Sequence, residues 1–387
     1  MGGNHHTHGT EVPASRGTRI ATLAVVVPLA LATLVSLILL WPGERTDKPQ
    51  PGPERVKGTI TAIFLKACSD PLPGEPKPDP KTCGEATVRT EAQDEITALL
   101  PSGPGSQVFQ TGDEIVAINT GEFYQLSDHD RSGALWIFGL AFAAAVVAFG
   151  RWKGVTALVG LAVTFVLLLL FIIPGILQGE PPLLVAIVGA AAIMLAVLYL
   201  THGFTVGTSM AVLGTLISLT LTGVLSYASI GFAHLTGVTD ESSFYLGMSY
   251  QINTEGLLLA SVIIGSLGVL DDVTVTQAAT VAELARANPG YGFGTLYRAA
   301  ARVGRAHIAS VINTIVLAYA GASLPLLILI SVAAQPLGDV LANPAIAQEI
   351  VRSVVGTLGL IAAVPITTLL SAWATSRANG QARHRRG

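Results

Sequence analysis

The chain has 387 residues, 51% of them hydrophobic and only 12% charged, and its mean hydropathy is +0.59. Soluble domains carry about a quarter charged residues, so this composition excludes an ordinary soluble protein and places the chain in a lipid bilayer. The formal net charge of -3 conceals strong segregation of charge along the chain, a pattern that encodes membrane topology and leaves no footprint for nucleic acid.

The chain opens with a tail, 1–19, that contains His5, His6 and His8 among Gly and Thr. Clustered histidines bind Zn²⁺, Ni²⁺ or Cu²⁺ weakly even in a disordered chain, but no second ligand set accompanies them, so no metal site is expected. An apolar segment follows at 20–41. It is longer than the 7–15 residues of a signal-peptide core, and no small-x-small cleavage pattern ends it, so an uncleaved anchor helix is expected.

Residues 42–132 change character. A Pro-rich linker, WPGERTDKPQPGPERV, is expected to be extended. Short runs of β-type residues then appear, VKGTITAIFL, EATVRTEA, EITALL and QVFQTGDEIVAI, separated by Pro, Gly and Asp. Such punctuation is that of a small antiparallel β unit or barrel. Cys68 and Cys83 are the only cysteines, and both fall here; in an oxidising extracytoplasmic compartment they are expected to form a disulfide.

Seven further apolar segments occupy 133–373, at 133–149, 155–177, 182–200, 204–230, 256–283, 308–333 and 350–373. Most reach the roughly 20 residues that cross hydrocarbon about 30 Å thick. The fold class is therefore a polytopic all-α membrane bundle of about eight transmembrane helices, with a small extracytoplasmic β-rich domain between the first and second. An even count puts both termini on one side. Arg16, Arg19, Arg151, Lys153, Arg286, Arg298, Arg302, Arg305 and the basic tail 374–387 all fall on that side, whereas the short opposite loops carry acids, with Arg352 the exception. The positive-inside rule makes it the cytoplasm and sends 42–132 outside.

Within the spans, Thr208, Thr215, Ser218 and Thr222 fall close together on a helical wheel beside Gly207 and Gly214, a surface suited to close helix packing or to lining an aqueous path. The sixth span, GLLLASVIIGSLGVLDDVTVTQAATVAEL, holds Asp271 and Asp272. Ended at Leu270 it would be only about 22 Å long, so the helix is expected to continue to about Leu284 and bury the pair. Asp272, Thr276 and Thr280 then share a face with Glu283, and Asp271 and Thr274 lie alongside. Adjacent carboxylates with hydroxyls are able to coordinate a hard cation or exchange a proton, and ionisable groups at membrane depth are functional by default; the plainer reading is a pair satisfied by water and neighbouring arginines. Asn313, Thr367 and Thr368 are further polar residues at depth, and Pro174, Pro325 and Pro365 are kink positions. His202 reads as a solvated loop histidine.

The stretch 291–307 reads as an amphipathic helix on the inner surface, with Arg298, Arg302 and Arg305 on one face. Anionic headgroups are its natural contact, and pairing with the aspartates as a gate is the sharper alternative. Walker A, H-E-x-x-H, G-x-S-x-G and paired C-x-x-C motifs are absent, so neither an enzyme nor a cofactor is expected.

The anchor, the β-like insertion, the multispanning region and above all the string LGVLDDVTVTQ at 267–277 together resemble the YibE/F-like family of bacterial membrane proteins. The resemblance implies a permease-like protein of the bacterial inner membrane and directs attention to Asp271, Asp272, Thr274, Thr276 and Gln277. The expected function is a secondary transporter coupled to a cation or proton and moving a small molecule, its second wall lined by Thr208, Thr215, Ser218, Thr222 and Asn313. The competing class is a non-transporting scaffold or sensor whose β domain binds an envelope partner. Either is compatible with an oligomer.

Overall fold

The computed structural model describes residues 16–43, 53–68, 77–103, 105–239, 241–332 and 336–384. His5, His6 and His8, most of the Pro-rich linker and the last arginines lie outside them. The chain forms two compact units, Arg45–Arg151 and a second made of Met1–Glu44 with Trp152–Gly387.

In the smaller unit the β-type runs become β1 (Arg55–Leu65), β2 (Gly84–Thr90), β3 (Glu95–Leu99), β4 (Glu114–Asn119) and β5 (Tyr124–His129). They close into a barrel in the order β1-β2-β3-β5-β4. Neighbours are antiparallel except β3 and β5, which run parallel, the strand arrangement of an OB-type barrel. Alternation sends Ala86 and Val88, then Ile115 and Ala117, into a core with Ile60, Ala98, Leu100, Phe109 and Leu126. An irregularity between Ile60 and Ala62 bends the long β1 so that it pairs with both β4 and β2. Cys68 and Cys83 are disulfide-bonded across the β1–β2 connection. At the exit from β5, Lys57 Nζ lies 2.8 Å from Asp130 Oδ2, and α2 (Ser132–Gly150) follows in the same unit.

Among the described residues eight helices are long and apolar enough to cross a membrane. Besides α2 they are α1 (Arg16–Leu39), α3 (Trp152–Leu167) continued into α4 (Ile173–Leu177), α5 (Pro182–His202), α6 (Val206–Phe232), α8 (Thr254–Ala287), α9 (Phe293–Ala322) and α12 (Pro344–His384). Short helices α7 (Glu241–Tyr250), α10 (Leu324–Val332) and α11 (Leu337–Ala342) connect them. A π-helical turn at Leu168–Ile172 joins α3 to α4 just ahead of Pro174, which absorbs the missing proline N–H without ending the span. Pro365 stays inside α12.

The seventh span differs from its expected place at 308–333. The stretch 291–307 is no separate surface helix: Phe293–Ala322 is one continuous helix. Leu296, Ala300, Gly304 and Ile308 recur every fourth residue and are buried, so one stripe packs into the bundle along the whole first half and nothing interrupts the helix. Its other end comes early, at Ser323, before Pro325, because a proline there has no N–H for the Gly321 carbonyl and its ring crowds that oxygen, so the chain restarts as α10 at Leu324.

The larger unit is built round α6, α8 and α12. Gly214 faces Thr367 and Thr222 faces Gly359, so the pairing advances along α6 as it retreats along α12 and the two run antiparallel. Gln277 with Thr368 and Ser261 with Arg352 advance together, so α8 and α12 are parallel. The core between these helices and α5 includes Met194, Val212, Ile263, Leu270, Val273 and Leu360.

Candidate functional site

The span bearing the aspartates begins where the Asn253 side chain accepts the Gly256 N–H at 2.9 Å, and it ends at Asn288 ahead of Pro289 and Gly290. Its 34 residues carry it well past Leu270, as the membrane-thickness argument requires. The five residues singled out on α8 nevertheless face two ways. Thr274 and Gln277 are buried. Asp271 is half-buried, and Asp272 and Thr276 lie on the exposed side, in line with Gly265 and Gly268. The expected stripe of Asp272, Thr276 and Thr280 therefore exists as a helix face, but the bundle does not cover it.

The buried face makes the contacts between helices. Thr274 Oγ1 and Thr215 Oγ1 are 2.6 Å apart, while Thr215 also reaches the Ala211 carbonyl at 3.0 Å and Thr274 the Asp271 carbonyl at 3.1 Å. Two hydroxyls have only two protons for these three links, so one donates across the interface and the other to its own helix. Gln277 uses both amide protons: Nε2 donates to the Ala300 carbonyl at 3.1 Å and to Thr368 Oγ1 at 2.7 Å. This one side chain ties α8 to α9 and α12. A Cβ on Gly304 would meet Gln277 Oε1 at 2.6 Å, so a glycine is what lets α9 approach.

Since Thr274 meets Thr215, and Gly223 faces Ile263 further along, α6 and α8 are antiparallel. Asp271 therefore lies about level with Ser218, near the middle of the 27-residue α6.

Of the expected second wall, Thr208, Thr215, Ser218 and Thr222 are all buried on α6. Thr208 is engaged with the helix cap, its Oγ1 2.9 Å from Thr205 Oγ1, and Thr222 donates to the Ser218 carbonyl at 2.8 Å. Asn313 is exposed on α9 and does not join this wall. Arg298, Arg302 and Arg305 are likewise exposed, and among the described residues none forms an ion pair with Asp271 or Asp272. The gate is not assembled, because the buried stripe of α9 turns its arginines away from the bundle. His202 is the last residue of α5 rather than a loop residue, and Asp272 and Lys153 lie within electrostatic reach of it.

Sequence reasoning weighed α12 too lightly. The hydroxyls of Ser218 and Ser226 on α6 and of Thr357, Thr367 and Ser371 on α12 are buried without a hydrogen-bond partner, as are Arg352 Nε and Gln348 Oε1 towards the start of α12. They are spread from Gln348 to Ser371 on α12, with Ser218 and Ser226 on α6, and Thr367 lies where α12 meets Gly214 of α6. Arg352 itself is held by Glu349 Oε1 at 3.0 Å and by Ser261 Oγ at 3.3 Å. The four-residue spacing of Thr367 and Ser371, and a lone arginine on the base-poor side, were the available signals. Ser371 also lines a cavity of about 1080 Å³. Among the described residues no group of three or more His, Cys, Asp or Glu converges as a metal centre.

No curated protein and no solved structure matches this chain. The YibE/F-like protein family matches residues 138–377, which takes in the aspartates, the Thr215–Thr274 and Gln277 contacts and the unpartnered hydroxyls of α6 and α12. That match covers most of the chain, from α2 to α12, and the protein therefore belongs to the YibE/F-like family.

Proposed function

We propose that this membrane protein is a permease-type secondary transporter coupled to a cation or proton, with its path along buried hydroxyls of α6 and α12. The observation that carries the reading is that Ser218, Thr367 and Ser371 are buried with no hydrogen-bond partner. An unpartnered buried hydroxyl costs about 1–3 kcal/mol, and a bundle built for packing alone gains nothing by retaining Ser218, Thr367 and Ser371 where alanine would fit. Hydroxyls with free lone pairs at membrane depth are instead suited to hand along a proton or a partly hydrated cation. Asp271, half-buried and level with Ser218, supplies negative charge beside a passing cation, while Asp272 on the uncovered face adds to it from further away; Thr274 fixes the helix beside it. In this reading both termini face the cytoplasm, 42–132 is extracytoplasmic, and the membrane is a bacterial inner membrane, as the concentration of arginines on one side supports.

The test is flux in proteoliposomes. With a pH or Na⁺ gradient imposed, wild-type protein is expected to move protons or the cation above the rate of empty vesicles, and Asp271→Asn to lower that rate at least tenfold, with Asp272→Asn lower by a smaller factor. Unchanged flux in both variants would overturn the assignment. A second reading, a scaffold or sensor, is favoured by one observation: Gly214, Gly304 and Gly359 pack directly against threonine and glutamine side chains, so the bundle is tight where a carrier has to open. Wild-type flux no greater than that of empty vesicles under every gradient selects this reading.

A further inference from the structure

The cavity that Ser371 reaches lies between α1 and the bundle, with walls from α1, α5, α6, α8 and α12. Its lining is graded along its depth. At one end stand Arg19, in the first turn of α1, and Arg286, in the last turn of α8, with Thr205 and Thr375 beside them. Further along, Val26, Val27 and Ala30 of α1 face Leu195 of α5 and Met210 of α6. From Arg19 to Ala30 the helix advances about 16 Å at 1.5 Å per residue, close to the roughly 15 Å of one leaflet's hydrocarbon.

Among the described residues Arg19 has no ion-pair partner, and Arg286 meets only the solvent-exposed Glu283 one turn away. An exposed pair of that kind contributes little and leaves guanidinium donors free. Two guanidinium groups over an apolar slot one leaflet deep define an amphiphile with a negative head, and basic pockets between membrane helices are where anionic lipid headgroups settle. Deeper in the same lining, Ser371 Oγ is buried and unpartnered and offers a hydrogen bond to a lipid's polar backbone.

We propose that this cavity binds one molecule of an anionic membrane lipid, its phosphate between Arg19 and Arg286 and one acyl chain between α1 and the faces of α5 and α6. The lipid adds to the attachment of α1, which otherwise rests on the bundle through buried Thr18, Thr22 and Val26 at one end and Leu37 at the other. The site does not depend on transport, since lipid occupancy is read without any flux.

The experiment uses full-length protein extracted from bilayers of phosphatidylglycerol and phosphatidylcholine in equal amounts, with retained lipid counted by native mass spectrometry. Wild-type protein is expected to keep one phosphatidylglycerol in preference to phosphatidylcholine. R19Q/R286Q should reduce that occupancy at least tenfold, R19K/R286K should keep it, and Val27→Trp should reduce it with both arginines intact. Equal retention of the two lipids, or an unchanged R19Q/R286Q, would overturn the proposal. So would displacement by glycerol phosphate alone, which lacks the chain. If R19Q/R286Q fails to fold, the Val27→Trp and R19K/R286K arms decide by the same criterion.

Discussion

Thr222 and Gly359 show how little room separates the central helices. Both are buried, and a Cβ on Gly359 would collide with the Thr222 hydroxyl and come within 3.2 Å of its Cβ. Overpacking of this kind costs about 1–3 kcal/mol. Gly359→Ala is expected to destabilise the bundle by that amount in SDS unfolding, and Thr222→Ala, added to it, to restore most of the loss; a double variant no better than the single one would show that the contact does not limit packing. Single residues were also where the sequence was most informative and most misleading. The Asp271–Asp272 pair stands out in any hydropathy profile, and its helical spacing with Thr276 is visible. Which face the neighbours cover is not written in α8 itself: that depends on Thr215, Ala300 and Thr368, distant in sequence, so Thr274 and Gln277 went inward and Asp272 and Thr276 outward.

At the scale of elements, the barrel yields a prediction from its charges. The Lys57 ammonium beside Asp130, helped by the Ser132 N–H, holds the Asp130 carboxyl down at about 2 from an ordinary 3.8. Asp128 is held well below the usual range by Arg131, with Gln107 and the His129 N–H adding to it. A carboxylate depressed in the folded state stabilises that state above its unfolded pKa, and the contribution is lost as pH falls through the folded value. Barrel stability, followed by amide exchange of 53–131 in the whole protein, should therefore decline from pH 3.8 toward about 2, and Lys57→Ala should flatten that decline. An identical profile in the variant would assign the acid sensitivity elsewhere. The barrel's strands were legible because alternation is local, as in Ala86 and Val88. The parallel β3–β5 pairing that closes it was not, since β4 and a long connection lie between the two strands in the chain. The seventh span failed for a related reason: hydropathy reads Arg298, Arg302 and Arg305 as leaving the bilayer, while the buried every-fourth-residue stripe on the opposite face keeps α9 in the bundle.

For the whole molecule, composition and segment length sufficed to give eight spans, because the thickness of hydrocarbon sets helix length whatever the fold. Arginine placement leads to a topology that reporters can check. A green fluorescent protein fused after Gly387 should fluoresce, and alkaline phosphatase inserted between Leu65 and Gly84 should be active; a dark fusion or an inactive insertion would reverse the orientation.

The glycine contacts also limit how such a bundle is able to move. Gly214 against Thr367 and Thr222 against Gly359 act as teeth of a rack, and sliding α12 by a single position would set Thr222 against Leu358 or Leu360. Shear between these two helices is thereby blocked, although rocking them as one body is not. Any working cycle then has its hinges at the periphery, where α1 and α9 rest on the locked pair.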